Sequence, residues 1–115
     1  MAKFECNIQG DFATILATID QGILQGSSSA SLEDWSEFGW GDVRCGVRVY
    51  ERYSMAGGNR VSLTVTLFGA GMQYSLSGIT AGGSQAMFWK VNTLGEETFL
   101  DELVRVVNAM VPDMR

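Results

Sequence analysis

Two runs of strictly alternating residues, VRCGVRVYERY from Val43 and RVSLTVTLF from Arg60, are separated only by the glycine-containing stretch SMAGGN. Successive side chains of a strand point to opposite faces, so each run has one apolar and one polar side, and the intervening glycines suit a turn. The pattern dictates an antiparallel hairpin at the centre of a sheet. In its second arm Val61, Leu63, Val65 and Leu67 face inward and Ser62, Thr64, Thr66 and Phe68 outward. By the same hydropathy rule Val43, Cys45, Val47 and Val49 are expected inside, with Arg44, Gly46, Arg48, Tyr50 and Arg52 outside.

A sheet with one apolar face must be covered. The cover is legible at both ends of the chain. Residues 2 to 9 alternate as a first strand, and Asp11 is placed to cap a helix whose Phe12, Ile15, Leu16, Ile19, Ile23 and Leu24 form one stripe ending near Gly26. Near the other end, Thr93 and Glu96 have capping-box spacing ahead of a stripe from Phe99 to Met110, closed by Pro112. Between them, strands are expected near 31–38, over MQYSLSGIT and, less regularly, over SQAMFWKV. The order strand, helix, four to five antiparallel strands, helix predicts one α+β domain over 1–115, two-layered, with both helices on one sheet face.

Three arginines at every fourth position, Arg44, Arg48 and Arg52, stand out in a chain of formal net charge −5. If residues 31–38 fold back on 43–50 across a loop of Gly39 to Asp42, Glu37 falls opposite Arg44, Trp35 opposite Gly46 and Glu33 opposite Arg48. Cross-strand ion pairing would then neutralise most of the stripe. The alternative is an anion site in which Arg44, Arg48 and above all Arg52, with the hydroxyl of Thr64, hold a carboxylate or phosphate. The same register turns Asp34 and Glu51 to the inward side. Two inward carboxylates are the candidates for acid–base work, with Arg52 orienting an anionic substrate, in an isomerase- or hydrolase-type enzyme.

Other chemistry is scarce. The sequence has no histidine, which removes the usual nucleophile-activating dyads and the commonest zinc sites. Cys6 and Cys45 lack metal-ligand spacing and are expected to be buried thiols, so no metal or cofactor is expected. Acidic net charge argues against nucleic acid, and no stretch approaches about 20 apolar residues, so neither a nucleic-acid nor a membrane partner is expected and the cytoplasm is the expected compartment. Trp35, Trp40, Phe68 and Trp89 exceed what one small core accommodates, and aromatics on an outer sheet face mark a partner surface.

In the segments ERYS, NRVSL and KVNTLGEETFL the chain resembles a small bacterial family known only as a domain of unknown function. That resemblance implies no activity and no site. The element order is also similar to the TATA-binding-protein-like fold group, an analogy of fold alone. The expectation on residues is a non-enzymatic domain binding a small anionic ligand or a protein partner, in the first place a second copy of itself as a homodimer.

Overall fold

The computed structural model describes residues 1–54, 59–82 and 89–110, with no side chains described for Ser54 and for residues 89–94. The elements are β1 (Ala2–Gln9), α1 (Phe12–Gly26), β2 (Ser31–Trp40), β3 (Val43–Ser54), β4 (Asn59–Ala70), β5 (Gln73–Gly82) and α2 (Trp89–Met110). They form the expected α+β arrangement. The five strands make one antiparallel sheet in the order β1-β5-β4-β3-β2, so β4 is the central strand and β1 and β2 are the edges.

Both helices lie on one face. Asp11 caps α1, its carboxylate accepting from the Thr14 backbone N–H at 3.0 Å and from the Thr14 hydroxyl at 2.9 Å. The helix then buries Phe12, Ile15, Leu16, Ile19 and Ile23, while Leu24, expected on the same stripe, is exposed. From α2, Phe99, Leu100, Leu103 and Val107 close over Val61, Leu63, Val65, Leu67 and Leu76 of the sheet. Close approach of helix to sheet requires missing side chains. A β-carbon on Gly46 would stand 2.7 Å from Leu16 Cδ1 and 3.0 Å from Phe12 Cζ, and one on Gly78 would stand 2.3 Å from Leu103 Cδ2. Each helix is therefore seated on a glycine: α1 on Gly46 of β3, α2 on Gly78 of β5.

Three local expectations are corrected. The β2–β3 hairpin turns through two residues, with Trp40 paired to Val43 and Gly41 at φ 64, instead of through a four-residue loop. Gly41 takes the left-handed conformation that such tight turns need, and the shorter loop slides the register by two. Trp35 thus opposes Arg48, Glu37 opposes Gly46, and Gly39 opposes Arg44, with a bulge at residue 33. Next, α2 begins at Trp89, so Thr93 to Glu96 lie within the helix and not at its start. Glu96 is instead buried and accepts from the Gly82 N–H and the Met1 amine, tying α2 to β5 and to the residue before β1. Finally, the sixth strand expected over 84–91 falls on residues outside those described up to 88, and its remainder belongs to α2.

The largest correction concerns the faces of β3. Val43, Cys45, Val47 and Val49 look away from the helices, and Val43 is exposed. Gly46, Arg48 and Tyr50 are the buried set. The cause is the pairing with β4, which sets Tyr50 opposite Leu63, Arg48 opposite Val65 and Arg52 opposite Val61. Directly opposed residues share a face, and the β4 leucines and valines are committed to the helix layer. Tyr50 fills more of that layer than a valine would, Gly46 leaves room for α1, and the arginine stems are themselves apolar.

Candidate functional site

The arginine stripe faces the helices, and α1, α2 and the neighbouring strand β2 supply acids to Arg48 and Arg52. Arg48 Nε lies 3.3 Å from Asp20 of α1, and its terminal nitrogen donates to Glu37 of β2 at 2.8 Å. The Tyr50 hydroxyl donates to the same Asp20 carboxylate. Arg52 stands 3.9 Å from Glu102 of α2, which also pairs with Arg105. Each guanidinium also covers an aromatic ring: Arg44 over Phe12 at 5.8 Å, Arg48 over Trp35 at 5.4 Å and Arg52 over Phe99 at 4.6 Å. Such stacking lets a charged head remain beside an apolar core.

Burial opposes the charge on Arg48, but Glu37 and Asp20 outweigh it and hold its pKa above the ordinary value. Arg52 shifts the other way, because burial exceeds the effect of its single acid, Glu102. Tyr50 is fully buried, and burial together with the bond to Asp20 holds its phenol far above the ordinary value of 10. A group whose pKa is raised on folding contributes stability that is complete below the unfolded pKa and is lost as pH rises beyond it. Unfolding free energy measured in urea is therefore expected to fall as pH rises past about 10, and Tyr50→Phe to flatten that slope. An unchanged slope in the variant would remove the phenol from the account.

The other candidate residues are divided between the two faces. Thr64 stands on the open face, opposite Val49 and Ile79, with the sheet between it and the three arginines. Asp34 and Glu51, expected inward, share the valine parity and so look outward with it. Asp34 is exposed and accepts from the Trp35 N–H at 2.8 Å, whereas Glu51 is bound by Arg60 at 2.7 Å. Trp35 belongs to the helix side, over Arg48. Trp40 and Phe68 do stand on the open face, and the side chain of Trp89 lies outside the described residues.

What gathers on the open face is an apolar strip. Phe38, Cys45 and Phe68 form one transverse row, Trp40 and Val43 the start of the next. Phe38 is 63 % exposed, Trp40 88 % and Phe68 54 %. Met72 and Ile79 extend the exposed apolar surface. At the opposite end of the same face Arg60 binds Glu51 and lies 3.5 Å from Glu33, with Tyr53 beneath it. A depression of about 470 Å³ lies beside the strip, lined by Glu5, Asn7, Thr66, Phe68, Ser75 and Ser77 among others.

Sequence reasoning missed Asp20, Glu102, Phe38 and the outward direction of the β3 valines. One signal was available: Asp20 is the only ionisable residue between Phe12 and Gly26, on a helix otherwise apolar or uncharged. Such a lone charge beside an apolar stripe asks for a buried partner. Among the described residues no group of three or more metal-binding side chains occurs, and no helix is long and apolar enough to cross a membrane.

No curated protein and no solved structure matches the chain. A family model does, over residues 1–111, and with nearly the whole sequence covered the chain belongs to that family, described as a family of unknown function, DUF6054.

Proposed function

We propose that this is a non-enzymatic, cytoplasmic protein-binding domain that acts through the open face of its sheet and associates first of all with itself. The observation that carries this reading is the aromatic strip of Phe38, Trp40 and Phe68, three large side chains left more than half exposed on a sheet face that no element among the described residues covers. Contiguous exposed apolar surface of this kind marks an interaction site in soluble proteins. The arginine side supports the same reading, because Arg48 and Arg52 each already have a carboxylate partner within the chain.

An enzyme built on Asp34, Glu51 and Arg52 is disfavoured, since the carboxylates and the guanidinium stand on opposite sides of the sheet. A second reading, small-ligand binding, is supported by the depression beside Phe68, whose volume of about 470 Å³ falls within the range of ligand pockets although it opens broadly to solvent. Native mass spectrometry of the purified protein distinguishes them. A dimer without retained mass is expected; a monomer carrying a small molecule would establish the second reading instead, and a bare monomer at every concentration would defeat both.

A further inference from the structure

The register of the sheet says how two copies would meet. β4 is the third of five strands, so the transverse rows of the open face are symmetrically disposed about it. One row reads Asp34, Val49, Thr64, Ile79, Lys3, with an acid on one edge strand and a base on the other. Lys3 has Glu5 within 4.0 Å as its only ion-pair partner among the described residues, and both are exposed. Along the strands the face is polarised: Phe38, Trp40 and Phe68 lie toward the end with the Gly41 and Gly71 turns, and Arg60, Glu51 and Glu33 toward the other.

From this arrangement we infer that two copies of the chain stack open face to open face about a two-fold axis running along β4, with Lys3 of each paired to Asp34 of the other. The inference rests on the self-association proposed above and specifies its surface and symmetry. An axis parallel to the strands keeps each row over itself reversed, which sets β1 over β2 of the second copy and Lys3 over its Asp34, twice by symmetry. It also sets the aromatic end over the aromatic end. An axis across the strands would lay Phe38 and Phe68 on the Arg60 and Glu51 pair, stranding charge in an apolar contact. Arg60 meets its own copy near the axis, but it is neutralised within its chain by Glu51 and Glu33.

The size is adequate. Five strands at about 4.8 Å and eight residues at about 3.4 Å give a face of roughly 650 Å², hence about 1,300 Å² in total for two copies. Stable interfaces begin near about 1,200 Å². Aligned sheet packing of this kind makes a sandwich whose second core is the aromatic strip.

The test is sedimentation equilibrium on the full chain and on Lys3→Asp, Asp34→Lys, the double exchange, and Thr66→Arg. These side chains all stand on the open face, so the far-ultraviolet circular dichroism spectrum is expected to stay as in the parent, with melting lowered by no more than the loss of the dimer's stabilisation and of the Asp34 bond to the Trp35 N–H. Each single exchange places like charges together twice and is expected to weaken dimerisation about tenfold; the double exchange restores opposite charges and returns it to within about threefold of the parent. Thr66→Arg sets two guanidiniums together on the axis and is expected to give a monomer throughout. A double exchange no tighter than the singles overturns this symmetry, and with dimerisation still lost in Thr66→Arg the open-face reading stands without it. A dimer that survives Thr66→Arg overturns the face itself, and a monomeric parent overturns self-association altogether.

Discussion

Replacing Asp20 with alanine is expected to destabilise the protein by about 2–4 kcal/mol, more than either Tyr50→Phe or Arg48→Met, each at about 1–2 kcal/mol. The order follows from which group is left without water. Asp20 and Glu37 side chains are 26 % and 40 % exposed, so when Arg48 or the Tyr50 hydroxyl is removed the carboxylates regain solvent and methionine still fills the stem of the arginine. Without Asp20 the position is reversed. The Tyr50 hydroxyl, fully buried, loses its acceptor, and Arg48 keeps only Glu37 at the edge strand. Asp20→Asn is expected to fall between, since the amide oxygen accepts from Tyr50 but carries no charge for Arg48. Chemical denaturation of the four variants gives the order directly, and an Asp20→Ala cost below that of Arg48→Met would show that the cluster is solvated and carries little.

This cluster also explains how far the sequence could be read. Period-two and period-3.6 patterns separated strands from helices correctly over β1, α1, β3, β4 and β5 because each reports a local repeat that tertiary contacts did not override. On β4 the faces followed as well, since Val61, Leu63, Val65 and Leu67 leave no competing choice. On β3 both faces had a claim. Valines favoured one side; tyrosine, a seat for α1 and arginine stems favoured the other, and pairing with β4 settled it for the second, with Asp20, Glu37 and Glu102 meeting the charges. Hydropathy counted residue by residue contains no such term. Register was equally out of reach, because a two-residue turn at Gly41 and a four-residue loop from Gly39 are both compatible with the sequence and differ by two places. Aromatics were recognised as surplus to one core, and Trp40 and Phe68 stand on the open face, whereas Trp35 was drawn to the helix side by Arg48 across the ladder.

The glycine seats give the second large effect. Gly78→Ala is expected to cost about 2 kcal/mol and Gly78→Val about 3 kcal/mol or more, because the new β-carbon would enter within 2.3 Å of Leu103 Cδ2 while Leu103 is itself fully buried and has no free volume to enter. Leu103→Ala alone removes those atoms and leaves a cavity, at about 2–5 kcal/mol. Combined, the added methyl partly occupies the vacated space, so Gly78→Ala with Leu103→Ala is expected to cost less than the sum by about 1 kcal/mol or more. Simple additivity in thermal or urea denaturation would mean that α2 lifts off Gly78 as a rigid body and that the seat does not fix its height. The same variants separate the two faces of the molecule. Gly78 and Leu103 belong to the helix side, and the open-face row beside them, Thr66 with Ser77, alternates with them across the pleat. A change that lowers the melting temperature through the seat is thus expected to leave the concentration dependence of association unaltered, whereas Thr66→Arg is expected to abolish association and to lower the melting temperature only by the stabilisation that association gave. On the proposed reading stability resides on the helix side of the sheet and association on the open side, because successive side chains of a strand point to opposite faces and can be changed one face at a time.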